Sequence, residues 1–345
     1  MSKKTIFVTG GCGFIGSNFI INQIQHTDNS IINLDKLTYA GNEDNLKDIA
    51  SSNQYTFING DINTKSIVDD IFRDFHPHAI INFAAESHVD RSIDGPMEFV
   101  HTNIVGTANL LESSREYCDS NNNFRFIHVS TDEVYGSLEN EGFFTEETPY
   151  NPTSPYSASK ASSDHLVNAW HHTFNLPTII TNCSNNYGPY QFPEKLIPLM
   201  IMNCLEGKDL PVYGNGENIR DWLFVEDHCD AIYKVFLHGK IGQTYNIGGN
   251  NEIKNIEIVN SICEIMDNQR PLDNNKSYKD LIKFVEDRPG HDFRYAIDAS
   301  KIANELDWVP SENFDSGIEK TIKWYLDNQD WCEKIKYKQE RLGVL

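Results

Sequence analysis

An apolar run, Thr5–Thr9, passes without a spacer into Gly10-Gly11-Cys12-Gly13-Phe14-Ile15-Gly16 and on into a helical pattern from Phe14, and few folds accommodate that sequence. A second strand-forming run, Ser30–Leu34, follows and is closed by Asp35, about twenty residues beyond the glycines. In such a strand–loop–helix–strand unit, glycines let the backbone turn tightly and approach a pyrophosphate. The N–H groups and dipole at the helix start then offset the phosphate charge. Gly10, Gly13 and Gly16 are therefore expected to hold a dinucleotide. Asp35 is placed to accept hydrogen bonds from the adenosine ribose and to repel a 2′-phosphate, which selects NAD over NADP. Lys36, next in the chain, softens that preference. Asp61 with Ile62, after a third strand, reads equally well as an adenine contact or as a turn aspartate. Cys12 reads as a small filler residue.

Strand-like runs at Thr5–Thr9, Ser30–Leu34, Tyr55–Asn59, Ala79–Phe83 and Arg125–Ser130 alternate with amphipathic stretches, and Thr178–Asn182 could add a sixth strand. That alternation predicts right-handed βαβ units and an α/β fold: a Rossmann-type, doubly wound parallel sheet. A length of 345 residues exceeds one average core. Past Cys183 the texture turns to Asn, Pro, Gly and Tyr, with a helix expected from Lys195. Residues 1–184 are accordingly assigned to the nucleotide-binding domain, with a return at about 225–249. Residues 185–224 and 250–345 are assigned to a smaller α+β domain for the substrate.

With 29 basic against 50 acidic side chains, the formal net charge of −21 disfavours nucleic acid and anionic membranes as partners. An anionic ligand then requires Lys and Arg gathered locally. The seven cysteines form no C-x-x-C pair and read as thiols of a reducing compartment. No apolar stretch approaches a membrane span, the best being 79–85, so a cytoplasmic protein is expected. The His171-His172 pair lacks the spacing of a metal site, and no metal is expected.

The run Arg125–Ser130 delivers Ser130-Thr131-Asp132-Glu133 to its carboxyl end, the edge of an open α/β sheet where ligands sit. Adjacent carboxylates there are costly unless they act. Tyr156 and Lys160 stand four residues apart, on one face of a helix that Pro155 helps to start. An ammonium nearby, together with a cationic nicotinamide ring, favours the phenolate and would let Tyr156 serve as a base. Lys195, Arg220 and Arg288 are candidates for a diphosphate clamp; each alone reads more readily as a surface ion-pair partner, but as a set in Asn/Pro/Gly loops they favour binding. His88 reads better as a structural histidine than as a substrate contact.

The segments TGGCGFIGSN, DKLTYAGN, AAESHVDRSI, STDEVYG, PYSASKA, NNYGPYQFPEKLIP, RDWLFVEDH, YNIGG and DRPGHDFRYAID together resemble the dTDP-glucose 4,6-dehydratase family of extended short-chain dehydrogenases/reductases. The resemblance implies an NAD-dependent intramolecular redox reaction with loss of water, a hydro-lyase chemistry. The sugar is oxidised at C4, dehydrated across C5 and C6, and reduced at C6, with NAD tightly bound and regenerated each turnover. It assigns Tyr156, Thr131 and Lys160 to the oxidation, Glu133 to the C5 proton and Asp132 to the departing C6 hydroxyl. The neighbouring carboxyls agree with that division, because like charges held close push their pKa values apart.

The same resemblance places cofactor contacts at Phe14, Ile15, Asp35, Lys36, Leu37, Thr38, Asp61, Ile62, Ala84, Ala85, Thr102 and Asn186. Substrate contacts would fall at Ser87, Asn185, Lys195, Leu196, Pro211, Val212, Tyr213, Arg220, Asn255, Arg288 and His291. It also implies a homodimer packed through helices around Met97–Tyr117 and Ser157–Phe174, and a role in dTDP-rhamnose or other deoxysugar synthesis. The last forty or so residues carry no assignable motif. A sugar-nucleotide 4-epimerase would share the glycine loop, the tyrosine and the lysine, but has no use for Asp132-Glu133. A non-catalytic NAD sensor would have no use for all five of Thr131, Asp132, Glu133, Tyr156 and Lys160.

Overall fold

In a computed structural model, which describes residues 3–118, 124–273, 276–287 and 291–342, five buried runs rich in Ile, Val, Phe and Thr line up side by side. They are β1 (Thr5–Thr9), β2 (Ser30–Asp35), β4 (Ala79–Asn82), β5 (Arg125–Thr131) and β6 (Thr178–Cys183). β3 (Tyr55–Asn59), half-buried, closes one edge, and β10 (Thr244–Ile247) closes the other. The order β10-β6-β5-β4-β1-β2-β3 is parallel throughout. Continuous apolar strands are what a sheet covered on both faces requires. The chain winds outward from β1 to β2 and β3, then returns to β4 on β1's other side. That reversal opens a crevice at the carboxyl edge.

All six strands expected from the sequence form, to within one residue at their ends. The helices Phe14–His26, Leu196–Glu206 and Val225–His238 also fall where the sequence placed them. The segment Met97–Tyr117, expected to be helical, is built from three pieces. An α-turn, Pro96–Phe99, leads into a π-helical stretch, Val100–Gly106, before the α-helix Thr107–Tyr117. Asn103 in the wide turn explains the departure. Its side chain accepts from the Glu86 N–H at 2.9 Å and donates to the Glu86 carbonyl at 3.0 Å and to Ser159 Oγ at 2.8 Å. A π-turn turns this amide toward the loop after β4, as such bulges often do near functional sites.

A second apolar cluster, from Tyr187 through Trp222, Val259 and Met266 to Ile335, lies beyond the sheet. It carries β7 (Asn185–Tyr187), β8 (Leu210–Tyr213), β9 (Ile219–Phe224), β11 (Glu252–Lys254) and β12 (Ile282–Val285). β9 pairs with β7 and β11, and β8 with β12. The final helices, Phe314–Asp327 and Gln329–Leu342, pack in this cluster, yet the second also reaches the first domain. Trp331 Nε1 donates to buried Asn45 Oδ1 at 2.8 Å, and Asn45 Nδ2 donates to the Cys12 carbonyl in the glycine loop at 3.1 Å. Among the described residues, no helix is long and apolar enough to cross a membrane.

Trp331→Phe keeps an aromatic ring but removes the shorter of two hydrogen bonds to Asn45 Oδ1, leaving only that from Asn42 Nδ2 at 3.3 Å. Losing one net hydrogen bond costs about 0.5–1.5 kcal/mol, so the thermal midpoint should fall by about one to three degrees. An unchanged melting curve would remove this bond from the account.

Candidate active site

The glycine loop fits a dinucleotide by its own packing. Gly10 sits at φ +70°, and a Cβ there would meet the Ala84 backbone at 2.7 Å. A Cβ on Gly16 would lie 2.4 Å from the Gly10 carbonyl. Only bare backbone allows β1, the helix Phe14–His26 and the loop after β4 to close this far. That helix is capped by Gly13 and has no acidic residue in its first turn, so its leading N–H groups suit an anion. Asp35 Oδ2 accepts from the Cys12 N–H at 2.8 Å and Oδ1 from the Leu37 N–H at 2.8 Å, which fixes the carboxylate at the tip of β2.

Around this loop lies one continuous pocket. Of the predicted cofactor residues it brings together Gly10, Gly13, Phe14, Ile15, Gly16, Asp35, Lys36, Thr38, Asp61, Ile62, Ala84, Ala85, Thr102, Tyr156, Lys160 and Asn186. Leu37 does not line it. Its side chain packs on the core, and its N–H holds Asp35. Asp61 makes a turn by accepting from the Asn63 N–H at 2.9 Å and also pairs with Lys36 Nζ at 2.8 Å, while still facing the pocket. Burial pushes the Asp61 carboxyl up, but the Lys36 pair and the hydrogen bonds from Asn63 together hold it below the usual range.

The same pocket is lined by all five predicted catalytic residues, Thr131, Asp132, Glu133, Tyr156 and Lys160. β5 ends at Thr131, and a short 3₁₀ turn, Asp132–Tyr135, points the two carboxyls inward. The Glu133 N–H donates to Thr131 Oγ1 at 3.3 Å. Helix Pro155–Phe174 starts with Pro155 in its first turn and Ser154 as cap, whose Oγ accepts from the Ser157 N–H at 3.1 Å. This aims Tyr156 and Lys160 at the end of β5.

Burial dominates the electrostatics. Asp132 is buried, and burial together with the Glu133 charge holds its carboxyl protonated well above the ordinary range. Tyr156 is likewise raised, first by burial and then by Glu133, while its hydrogen bond with Thr131 works the other way. Lys160 is lowered by burial, and Asp164 opposes that. Its Nζ donates to the Val129 carbonyl at 2.8 Å rather than pointing only at the phenol. Asp164, one turn further along the helix and fully buried, accepts from Ser130 Oγ at 2.8 Å and Tyr150 Oη at 3.0 Å.

Of the predicted substrate residues, Ser87, Asn185 and Lys195 line the pocket, and Leu196 begins the next helix. Pro211, Val212 and Tyr213 lie on β8, outside it. They gather with Asn255 and His291 about the turn at Gly214–Gly216. Asn255 opens a helix whose Ile256 N–H bonds the Gly216 carbonyl, and the His291 ring lies 6.2 Å edge-on to Tyr213. Arg220 is buried, donates to the carbonyls of Ile219, Asp292 and Phe293, and stacks on Tyr295 at 4.3 Å. Arg288 lies outside the described residues.

Tyr295 was not singled out from sequence. It is buried, bonds Asp292 through its hydroxyl, and feels the Glu133 charge. Its place in DFRYAID was the available signal. His228 was also unassigned; Nδ1 lies 2.9 Å from Asn186 Oδ1, and burial pushes the ring down to about 3, so it fixes that amide as a neutral group.

Residues 7–321 match the family described as GDP-mannose 4,6 dehydratase. A dTDP-glucose 4,6-dehydratase of Neisseria meningitidis serogroup B is 55% identical, with 99% of each chain covered. This chain belongs to the dTDP-glucose 4,6-dehydratase family. A crystal structure of the enzyme of that name from Bacillus anthracis, in complex with NAD, has a TM-score of 0.87 and 46% identity, covering 96% of this chain and 99% of its own. The Streptomyces venezuelae enzyme, solved with NAD and TYD bound, has a TM-score of 0.89 and 42% identity over 96% of this chain and 99% of its own. Membership gives the pocket its cofactor, NAD, and the packing at Gly10 and Gly16 agrees with it.

Two outcomes are expected. Gly10→Ala, strained at φ +70° and clashing with Ala84, should weaken NAD binding by at least ~100-fold in a calorimetric titration; retained affinity would refute the close-approach argument. Because the folded state raises the Asp132 pKa, its contribution to stability is complete at acid pH and is lost as pH rises past the unfolded value. Asp132→Asn should therefore flatten the fall in thermal midpoint between about pH 5 and pH 8. An equal slope in both proteins would contradict the buried neutral carboxyl.

Proposed function

We propose that this chain converts dTDP-glucose to dTDP-4-keto-6-deoxyglucose. The observation that carries the reading is the adjacent acid pair beside Tyr156, with Asp132 buried and neutral and Glu133 half-buried in the same pocket. An enzyme that only oxidises and re-reduces C4 has no use for such a pair.

When bound, NAD supplies the hydride acceptor and donor for the reaction, and in its oxidised form a positive charge in the pocket. Tyr156 takes the proton from the sugar 4-hydroxyl. The Thr131 hydroxyl and the Lys160 ammonium stabilise the phenolate, which the chain's own burial disfavours. With a ketone at C4, the C5–H bond is acidic. Glu133 removes that proton, and Asp132, held protonated by its surroundings, gives its proton to the C6 hydroxyl, which leaves as water. Glu133 returns a proton to C5 as C6 is reduced. One carboxyl must start protonated and its neighbour ionised, and burial of Asp132 supports that order.

Lys195 and Arg220 are assigned to the diphosphate, together with Arg288, and Pro211–Tyr213, Asn255 and His291 to the nucleoside. The positive charge of Lys195 and Arg220 in this acidic chain supports the first assignment, and the gathering of Pro211–Tyr213, Asn255 and His291 around one turn supports the second. The assignment of 1–184 with 225–249 to the cofactor and of the remainder to the substrate is supported by β10 pairing onto β6 and by the separate second core. The exposed Met97, Val105 and Phe174 support a dimer packed through their helices.

Turnover of dTDP-glucose and UDP-glucose side by side, read by NMR, should give a C6 methyl from the thymidine sugar. Inversion at C4 alone would overturn the reading. Glu133→Gln should cut solvent deuterium uptake at C5 by about 10²–10⁴-fold while leaving C4 oxidation possible. Tyr156→Phe should abolish even transient NADH absorbance in a single turnover, and normal NADH formation would remove Tyr156 from the oxidation.

A further inference from the structure

Three loops that wall the pocket come from distant parts of the chain. They are the loop after β2, which supplies Thr38, Ala40 and Gly41; the loop after β4, which supplies Ala84 to Ser87; and the loop after β7, which supplies Gln191, Phe192 and Lys195. All three are tied at one carboxylate. Glu194 Oε1 accepts from Tyr39 Oη at 2.9 Å, and Glu194 Oε2 accepts from Arg91 Nε at 3.2 Å. The Arg91 guanidinium lies 3.8 Å over the Tyr39 ring, so the three side chains form a closed triangle. Tyr39 also meets Phe192 edge-on at 5.6 Å, and Lys195 Nζ donates to the Ser87 carbonyl at 3.0 Å, adding a second strut. The Glu194 side chain is only 10% exposed, where solvent screens an ion pair weakly.

None of Tyr39, Arg91 and Glu194 lines the pocket. They cannot act by touching the cofactor, and their effect must pass through the loops they join. We infer that the Tyr39–Arg91–Glu194 triangle is a cofactor clasp, which holds the loops after β2, β4 and β7 together and sets how slowly NAD leaves. The purpose rests on the dehydratase reading, in which the same NAD is reduced and reoxidised without leaving. The clasp itself would act on any bound dinucleotide. Hydrogen bonds to a charged group are among the stronger ones in a protein, and opening the pocket breaks two of them together with a cation–π contact.

The test compares Arg91→Gln and Tyr39→Phe with the parent protein. Tyr39→Phe keeps the ring against Phe192 and Arg91 and removes only the hydroxyl. NAD bound to purified protein is measured after denaturing extraction, before and after dialysis, and the release rate of NADH is followed by stopped-flow fluorescence. Release is expected to accelerate about tenfold or more in Arg91→Gln and severalfold in Tyr39→Phe, with less NAD surviving dialysis. The double variant should be less than additive, since both substitutions open one clasp. Arg73→Gln, in an exposed ion pair elsewhere, should release NADH at the parent rate. Unchanged release in both clasp variants overturns the inference, and so does equal acceleration in Arg73→Gln. Absence of the C6 methyl product from the parent protein would refute the dehydratase reading, and faster release in the clasp variants would still leave the clasp standing. Parent-like release with normal product would do the reverse.

Discussion

Because the seven strands of the central sheet run parallel, each hands its outgoing loop to the same edge. Every residue at the pocket inherits its position from that fact. The glycine loop leaves β1, Asp35 ends β2, Ala84 and Ala85 follow β4, the acid pair follows β5, and Asn185 and Asn186 follow β6. The reversal of winding between β1 and β4 keeps the middle of that edge open. What limits the site is how near these loops can come, and at Gly10 and Gly16 the answer is backbone against backbone. A single extra carbon at either position would push the helix, and with it the anion site, away from the edge.

Within that crevice burial makes competing demands. It holds a proton on Asp132 and on Tyr156, and it works against the charge on Lys160. A neutral acid suits a group that must give up a proton. A neutral phenol does not suit a group that must first accept one, and Thr131 is the neighbour within the chain that works in the phenolate's favour. Asp164 sits behind Lys160 with its carboxylate caged by Ser130 and Tyr150, where it keeps positive charge affordable in a dry place. The site is thus poised but incomplete as protein alone, and its base depends on the cofactor it encloses.

Most of this was legible in the sequence because its signals are local. Strand runs, the glycine turn, the helix cap at Ser154-Pro155 and the acid pair each occupy a few consecutive residues, and the structure brings Thr131, Asp132, Glu133, Tyr156 and Lys160 to one pocket. Leu37 shows where locality misleads. It neighbours Asp35, which lines the pocket, but its positive φ turns the side chain to the core and leaves the N–H to brace the carboxylate. Asn103 and the Tyr39–Arg91–Glu194 triangle were invisible for the opposite reason. Their meaning lies in partners 17 to 155 residues away, and neither periodicity nor composition encodes such a meeting. The π-helical turn at Val100–Gly106 follows from one of these contacts rather than from any helix-forming preference.

The bond between Trp331 and Asn45 joins residues 286 positions apart, and it bears on the order in which the molecule can be made. Asn45 and the Cys12 carbonyl it braces leave the ribosome well before Trp331, which follows only after all seven strands of the central sheet. A nascent chain can therefore assemble its sheet and glycine turn first, with domains folding as they appear, but the strut behind that turn stays absent until the helix that carries Trp331 emerges. Bracing of the nucleotide site thus waits on the segment that carried no motif.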